Sequence, residues 1–178
     1  MLIGNKTSIE GYHTQEYRST VLRQPLKCVN KSAWLGFGYY FWLEVEYAHF
    51  WGQDSKIHGK SESYDIYRAD LNIENCINTV FDENDYMDFV EVIEESIQQY
   101  KNRRIPITLK NINRYLAEKV WAKLGITGII YDDKPTNPRN KNRIYSEIPD
   151  LYYKKRIQIV IFDIKNINSF ELYLENQK

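Results

Sequence analysis

The sequence predicts a single α+β domain, residues 1–178, with several short strands and two amphipathic helices. Residues 64–71 and 157–164 are rich in β-branched and aromatic side chains, which is typical of strands. Residues 82–100 and 109–124 repeat apolar side chains every three or four positions, which is typical of helices packed on one side. A chain of 178 residues that is 43% hydrophobic can form one core and leaves little room for a second domain.

An aromatic stretch at residues 34–51 is the most distinctive part of the chain. Gly36 and Gly38 allow a sharp backbone turn ahead of four consecutive aromatic residues. Side chains alternate along a strand, so Tyr40 projects to one face, and a following helix brings back Trp51. Two rings placed in this way form a slot for a planar ligand ring, although aromatic clusters also commonly fill cores.

The other elements follow in order along the chain. A strand end at residues 9–15 precedes the aromatic stretch, and a strand at 126–131 follows the second helix, which stops at Gly125. A last strand is expected at residues 169–174. The apolar stripes of the two helices consist of Phe89, Val92, Ile93 and Ile97, and of Ile112, Leu116, Val120 and Leu124.

Composition excludes several functional classes. The formal net charge is zero, so no overall field attracts nucleic acid or an anionic membrane. Two cysteines are too few for a disulfide framework, and no apolar run is long enough to span a membrane, so a cytoplasmic protein is expected. The sequence contains no Gly-x-Gly-x-x-Gly or Gly-Lys-Ser/Thr nucleotide loop and no Cys/His pair at metal-ligand spacing.

Residues 36–41, Gly-Phe-Gly-Tyr-Tyr-Phe, resemble the second motif of the poly(ADP-ribose) polymerase-like ADP-ribosyltransferases, Gly-Lys-Gly-Ile-Tyr-Phe. In that family the Tyr of the motif stacks on the nicotinamide of NAD, and an aromatic residue on the next helix closes the sandwich. The resemblance therefore implies that Tyr40 and Trp51 hold nicotinamide and that Gly38 belongs to the NAD-binding loop.

The first motif of the same family is a His followed by Gly, Ser or Thr after a strand. His13 and Thr14 match it in type and order. The resemblance implies that His13 donates to the adenosine-side ribose while backbone groups grip the nicotinamide amide. Arg23, between the two motifs, is a candidate for the NAD pyrophosphate and otherwise a surface residue.

The third motif of the family is a Glu at the start of a late strand, and Gln158 aligns with it. Cleavage of the nicotinamide–ribose bond passes through an oxocarbenium-like state, which a carboxylate stabilises. A Gln can orient the ribose hydroxyl through its carbonyl oxygen but contributes no negative charge. The resemblance thus implies a His-Tyr-Gln enzyme that transfers one ADP-ribose rather than building chains.

The resemblance also implies an architecture and a biological setting. It implies two packed, mostly antiparallel sheets that form a split cleft, with flanking helices and NAD held between the sheets. Small domains of this type occur as bacterial toxins, including members of toxin–antitoxin and phage-defence systems, so an antitoxin protein is an expected partner.

A basic segment at residues 134–156 is the candidate acceptor surface. It interleaves tyrosines with basic residues that include Arg143, Lys154, Lys155 and Arg156. Cations neutralise phosphates and rings stack on unpaired bases, which favours RNA as the acceptor, with protein as the other choice. A solvated, positively charged loop explains the same composition.

The sequence is also compatible with two further functions. Because Gln158 replaces the family's Glu, the same fold can serve as an inactive module that binds NAD, ADP-ribose or nucleic acid. A weaker hypothesis is an NAD glycohydrolase, with water as its acceptor.

Overall fold

The computed structural model describes residues 7–30, 33–57, 61–102, 104, 107–133 and 155–178. Within these residues the α+β class is confirmed, with seven strands and four α-helices. No helix in these ranges is long and apolar enough to cross a membrane. The strands are β1 (Ser8–Glu16), β2 (Tyr39–Trp42), β3 (Tyr64–Asn72), β4 (Cys76–Asn78), β5 (Gly128–Asp132), β6 (Ile157–Ile161) and β7 (Ile167–Gln177). The helices are α1 (Val45–Trp51), which a π-helical turn extends to Ile57, α2 (Glu83–Asn102), α3 (Leu109–Lys119) and α4 (Trp121–Leu124).

All seven strands form one sheet in the order β4-β5-β6-β2-β1-β3-β7. Every neighbouring pair is antiparallel except β4 and β5. The predicted strands at 9–15, 64–71 and 169–174 are confirmed. The strand predicted at 157–164 ends three residues early, because the chain bends after Ile161 into a short 3₁₀ turn.

The sheet parts between β1 and β2. These strands share a single registered pair, Tyr12 with Trp42, whereas β1 and β3 share nine pairs and β2 and β6 share four. The sheet therefore consists of a four-strand half (β4-β5-β6-β2) and a three-strand half (β1-β3-β7) that are joined by one narrow contact.

The two halves fold back onto each other. Only residues 73–75 link β3 to β4, a span of at most ~14 Å, yet five strand spacings of ~4.8 Å would separate these strands in a flat sheet. The inner face therefore encloses one core cluster to which both halves contribute, including Leu71 from β3 and Ile159 from β6. This corrects the expectation of two separate sheets: one hydrogen-bonded sheet bends so that its halves pack face to face.

The helices cover the outer face of the four-strand half. As predicted, Phe89 of α2 is buried and the rest of its stripe packs in the same cluster. The predicted helix at 109–124 is wrong in one respect, because it breaks at Val120, where α3 ends and α4 begins. The break turns Leu124 outward, where it is 60% exposed, and Trp121 fills the core in its place.

The outer face of the three-strand half carries a third cluster. Tyr64 and Ile66 of β3 pack there with Tyr47 and Ala48 of α1, and Trp42 at the end of β2 joins them. Helix α1 and the helices α2 to α4 therefore cover different parts of the outer surface.

Substitution of Gly38 tests whether close packing of the residue before β2 against β6 is needed for stability. A Cβ at Gly38 would lie 2.5 Å from Val160 Cγ2 and 2.8 Å from Ile161 O. We expect Gly38→Ala to lower the free energy of unfolding by about 3 kcal/mol in urea denaturation, because both groups must move. The control is Gly125→Ala, whose Cβ meets nothing within 4 Å and whose positive φ of 72° costs about 1 kcal/mol. Equal losses for the two variants would contradict this role of Gly38.

Candidate functional site

The motif tryptophan on α1 lies against another tryptophan rather than against Tyr40. The ring centroids of Trp51 and Trp42 are 6.2 Å apart and their planes are tilted by 49°. A planar ligand ring between them would require roughly 7 Å, two stacking distances of ~3.5 Å. Trp42 is buried, whereas Trp51 is 41% exposed. The outward side of Trp51 is therefore the surface available for stacking.

Gln158 lies next to this pair on the same outer face. It is directly opposite Trp42 on β2 and opposite Tyr131 on β5, and cross-strand neighbours share a face. Its side chain is buried and its Oε1 accepts a hydrogen bond of 3.1 Å from Trp34 Nε1. Trp34 in turn packs edge-on against Tyr131 with 5.0 Å between centroids. We call Trp34, Trp42, Trp51, Tyr131 and Gln158 the Gln158 cluster.

Tyr40 lies on the same outer face, but its hydroxyl bonds to the loop that precedes β2. Its hydroxyl donates to Gly36 O at 2.6 Å and accepts from Leu35 N at 3.2 Å. Burial raises the pKa of this hydroxyl, nearby Cys28 raises it further, and the Leu35 N–H opposes both. The ring therefore holds the turn ahead of β2, and the expected pairing of Tyr40 with Trp51 is replaced by the pairing of Trp42 with Trp51.

His13 lies on the opposite, inner face of the sheet. Its ring is 5.6 Å from the ring of Phe41 and 5.9 Å from that of Phe170. Its Nδ1 lies 2.8 Å from Tyr40 O, across the place where β1 and β2 part. The expectation that His13, Tyr40 and Gln158 converge on one crevice is thus corrected, because Tyr12 is the residue opposite Trp42 and strand alternation puts His13 on the other face.

The other predicted NAD contacts have structural surroundings of their own. Thr14 Oγ1 donates to Ala48 O at 2.7 Å and so anchors α1, the helix that carries Trp51. Gly38 forms a backbone bridge with Cys28 and lies against β6. Arg23 is exposed on the segment that follows β1.

Arg156 belongs to the site rather than to a free basic loop. Its guanidinium lies 5.3 Å from the ring centroid of Trp42 and 5.9 Å from that of Tyr47, and its Nη2 donates to Asp133 at 2.9 Å. Burial raises the pKa of Asp133, and the Arg156 guanidinium opposes this shift. Arg156 Nε and Asp132 Oδ1 are buried and have no hydrogen-bond partner among the described residues.

Only one of the remaining acceptor candidates lies among the described residues. Lys155 is exposed next to Arg156. Arg143 and Lys154 lie outside the described residues. The proposed RNA contact through Arg156 is therefore weakened, because its charge is paired with Asp133 and its face covers a ring.

Sequence reasoning missed four members of the site. Trp34, Tyr131 and Asp133 were given no role, and Arg156 was assigned to a different surface. Alternation along β2 does predict that Trp42 shares a face with Tyr40. No local signal connects Trp34 to Gln158 or Arg156 to Asp133, because these pairs are 124 and 23 residues apart in the chain.

None of the predicted site residues lines the larger cavity of the described structure. This cavity of about 570 Å³ is lined by residues that include Lys27, Phe37, Tyr39 and Phe162. In the part of the chain that the structure describes, no three His, Cys, Asp or Glu side chains are grouped as metal ligands.

No family model, curated protein or solved structure matches the chain. The function is therefore inferred from the geometry of the site.

The hydroxyl of Tyr40 provides a test of its structural role. Tyr40→Phe leaves Leu35 N and Gly36 O without this partner, so we expect unfolding to become easier by about 1–2 kcal/mol in chemical denaturation. Tyr39→Phe is the matched control, because no described residue bonds to its hydroxyl, and its effect should stay within about 0.5 kcal/mol. If both variants unfold like the wild type, the hydroxyl does not hold the turn.

Proposed function

We propose that this chain is an NAD-dependent mono-ADP-ribosyltransferase, acting as a bacterial toxin of the toxin–antitoxin or phage-defence type, whose donor site is the Gln158 cluster. The observation that carries the proposal is the position of Trp51. This residue stands at the spacing of the family's stacking aromatic, presents a half-exposed ring, and lies against Trp42 beside the aligned Gln158.

In this proposal NAD binds on the outer face rather than between the halves of the sheet. Nicotinamide stacks on the outward side of Trp51, and the amide of Gln158 contacts the adjoining ribose. His13 then supports the site from behind, through its contact with Tyr40 O, instead of touching the adenosine ribose. Thr14 contributes by fixing α1.

The charges near the cluster are compatible with a cationic ring. Asp133 pairs with Arg156, and the neighbouring Asp132 helps to raise the pKa of Asp133, so two carboxyl groups accompany one guanidinium here. An oxidised nicotinamide is a positively charged planar ring, and negative charge near the stacking surface favours its binding.

The acceptor in this proposal is a nucleophile on RNA or protein, and nicotinamide is the leaving group. Of the four basic acceptor candidates, Lys155 is described and exposed, so we assign the contact with an acceptor phosphate to it. Digestion of the labelled product with ribonuclease or with protease identifies the acceptor class.

A second function is favoured by one specific observation. Position 158 lacks a carboxylate, and one of the two lone pairs of the Gln158 carbonyl oxygen is engaged by Trp34. A module that binds NAD or ADP-ribose without transferring it does not need a carboxylate at this position.

The test of the proposal compares two exposed aromatic residues on α1. Trp51→Ala should weaken NAD binding about tenfold to a hundredfold in calorimetry, because a stacking ring contributes ~1–3 kcal/mol. It should also abolish transfer of label from adenylate-labelled NAD to RNA or lysate protein. Phe50→Ala is the control, since Phe50 is 56% exposed and contacts Tyr47 rather than Trp42.

The outcomes of this test separate the functions. NAD binding with Trp51-dependent transfer supports the enzyme, and binding without transfer supports the module. Release of nicotinamide without labelled macromolecule would indicate a glycohydrolase. Failure of the wild type to bind NAD, or equal losses in Trp51→Ala and Phe50→Ala, would contradict a donor site at Trp51.

A further inference from the structure

The orientation of the Gln158 amide is determined by Trp34. An amide can be rotated by half a turn with little change in shape, so its oxygen and nitrogen are distinguished by their partners. The indole N–H is only a donor, and it lies 3.1 Å from Gln158. The atom that faces Trp34 is therefore the oxygen.

Trp34 is itself held in place by a rigid element. Its backbone carbonyl accepts a hydrogen bond of 3.0 Å from Asn113 Nδ2, and Asn113 is fully buried on α3. Its ring packs edge-on against Tyr131, the β5 neighbour of Gln158. The indole N–H thus comes from a side chain fixed both by helix α3 and by the sheet.

This arrangement leaves the amide nitrogen of Gln158 for other partners. No described residue accepts a hydrogen bond from that nitrogen. The NH₂ group has two donors and no acceptor capacity. A ligand group that meets this nitrogen must therefore present an acceptor such as oxygen, whereas the sequence-based expectation placed the carbonyl of Gln158 against a ribose hydroxyl.

We propose that Trp34 is a positioning residue that presents Gln158 as a hydrogen-bond donor to an oxygen of the nicotinamide riboside half of NAD. The inference rests on the donor site proposed above and adds the chemistry by which that site recognises its ligand. At position 158 a Glu would keep the Trp34 bond through one carboxylate oxygen. Its other oxygen would offer an anionic acceptor instead of a donor.

A double-mutant cycle between positions 34 and 158 tests this role. Trp34→Phe keeps an aromatic ring against Tyr131 and removes only the indole N–H and part of the ring. We expect it to weaken binding of carba-NAD, an uncleavable NAD analogue, about fivefold or more in calorimetry, because the amide is no longer held in one orientation. In the Gln158→Glu background the same substitution should change affinity less than twofold, because the two oxygens of a carboxylate are equivalent.

Trp121→Phe is the matched control for loss of stability. It also removes a buried indole N–H, but Trp121 lies in the helical core against Phe89 and its N–H has no partner among the described residues. It should lower the melting temperature without changing carba-NAD affinity.

The possible failures are distinguishable. An equal effect of Trp34→Phe in the wild-type and Gln158→Glu backgrounds would overturn the positioning role while leaving the donor site intact. Failure of the wild-type chain to bind carba-NAD would overturn the proposed function and this inference together. Unchanged affinity in Trp34→Phe would overturn the inference alone.

Discussion

The single backbone junction between β1 and β2 is the constraint on which the rest of the structure depends. One registered pair, Tyr12 with Trp42, joins the two halves of the sheet. Because β3 must reach β4 at the far edge through residues 73–75, the halves bend about this junction and enclose the inner core. The bend also decides which side chains can meet, since it separates an enclosed inner face from an outer face that the helices and the loop ahead of β2 cover among the described residues.

The predicted His-Tyr-Gln constellation is divided between these two faces. Gln158 and Tyr40 lie on the outer face, while His13 packs among Phe41 and Phe170 on the inner one. Residues of the first two motifs therefore form structural hydrogen bonds. His13 reaches the Tyr40 carbonyl where the strands part, and Thr14 ties β1 to α1. These bonds fix the strand and the helix that bring Trp42 and Trp51 together, so the motif residues build the site even where they do not line it.

Periodicity in the sequence predicted most of the elements, because local propensity and burial of one face determine them. It could not predict β4, whose three residues are too few for a pattern, or the break at Val120 within a continuous apolar stripe. Gln158 and Trp51 were assigned to the candidate site by the family resemblance, and periodicity placed them correctly only as members of a strand and a helix. The pairing of Arg156 with Asp133 and of Trp34 with Gln158 depends on long-range topology, which has no local signature. Because the pairing of Arg156 with Asp133 could not be predicted, Arg156 was assigned to the acceptor surface.

The four tryptophans of the chain allow binding of NAD on the outer face, at the Gln158 cluster, to be measured directly. The protein is labelled with 5-fluorotryptophan, the resonances are assigned by single Trp→Phe variants, and ¹⁹F spectra are recorded during titration with carba-NAD. We expect saturable shifts of Trp51, Trp42 and Trp34, with Trp121, buried beneath α2, unmoved. Unmoved resonances for Trp51 and Trp42 at saturating ligand, or a shift confined to Trp121, would contradict binding at this face.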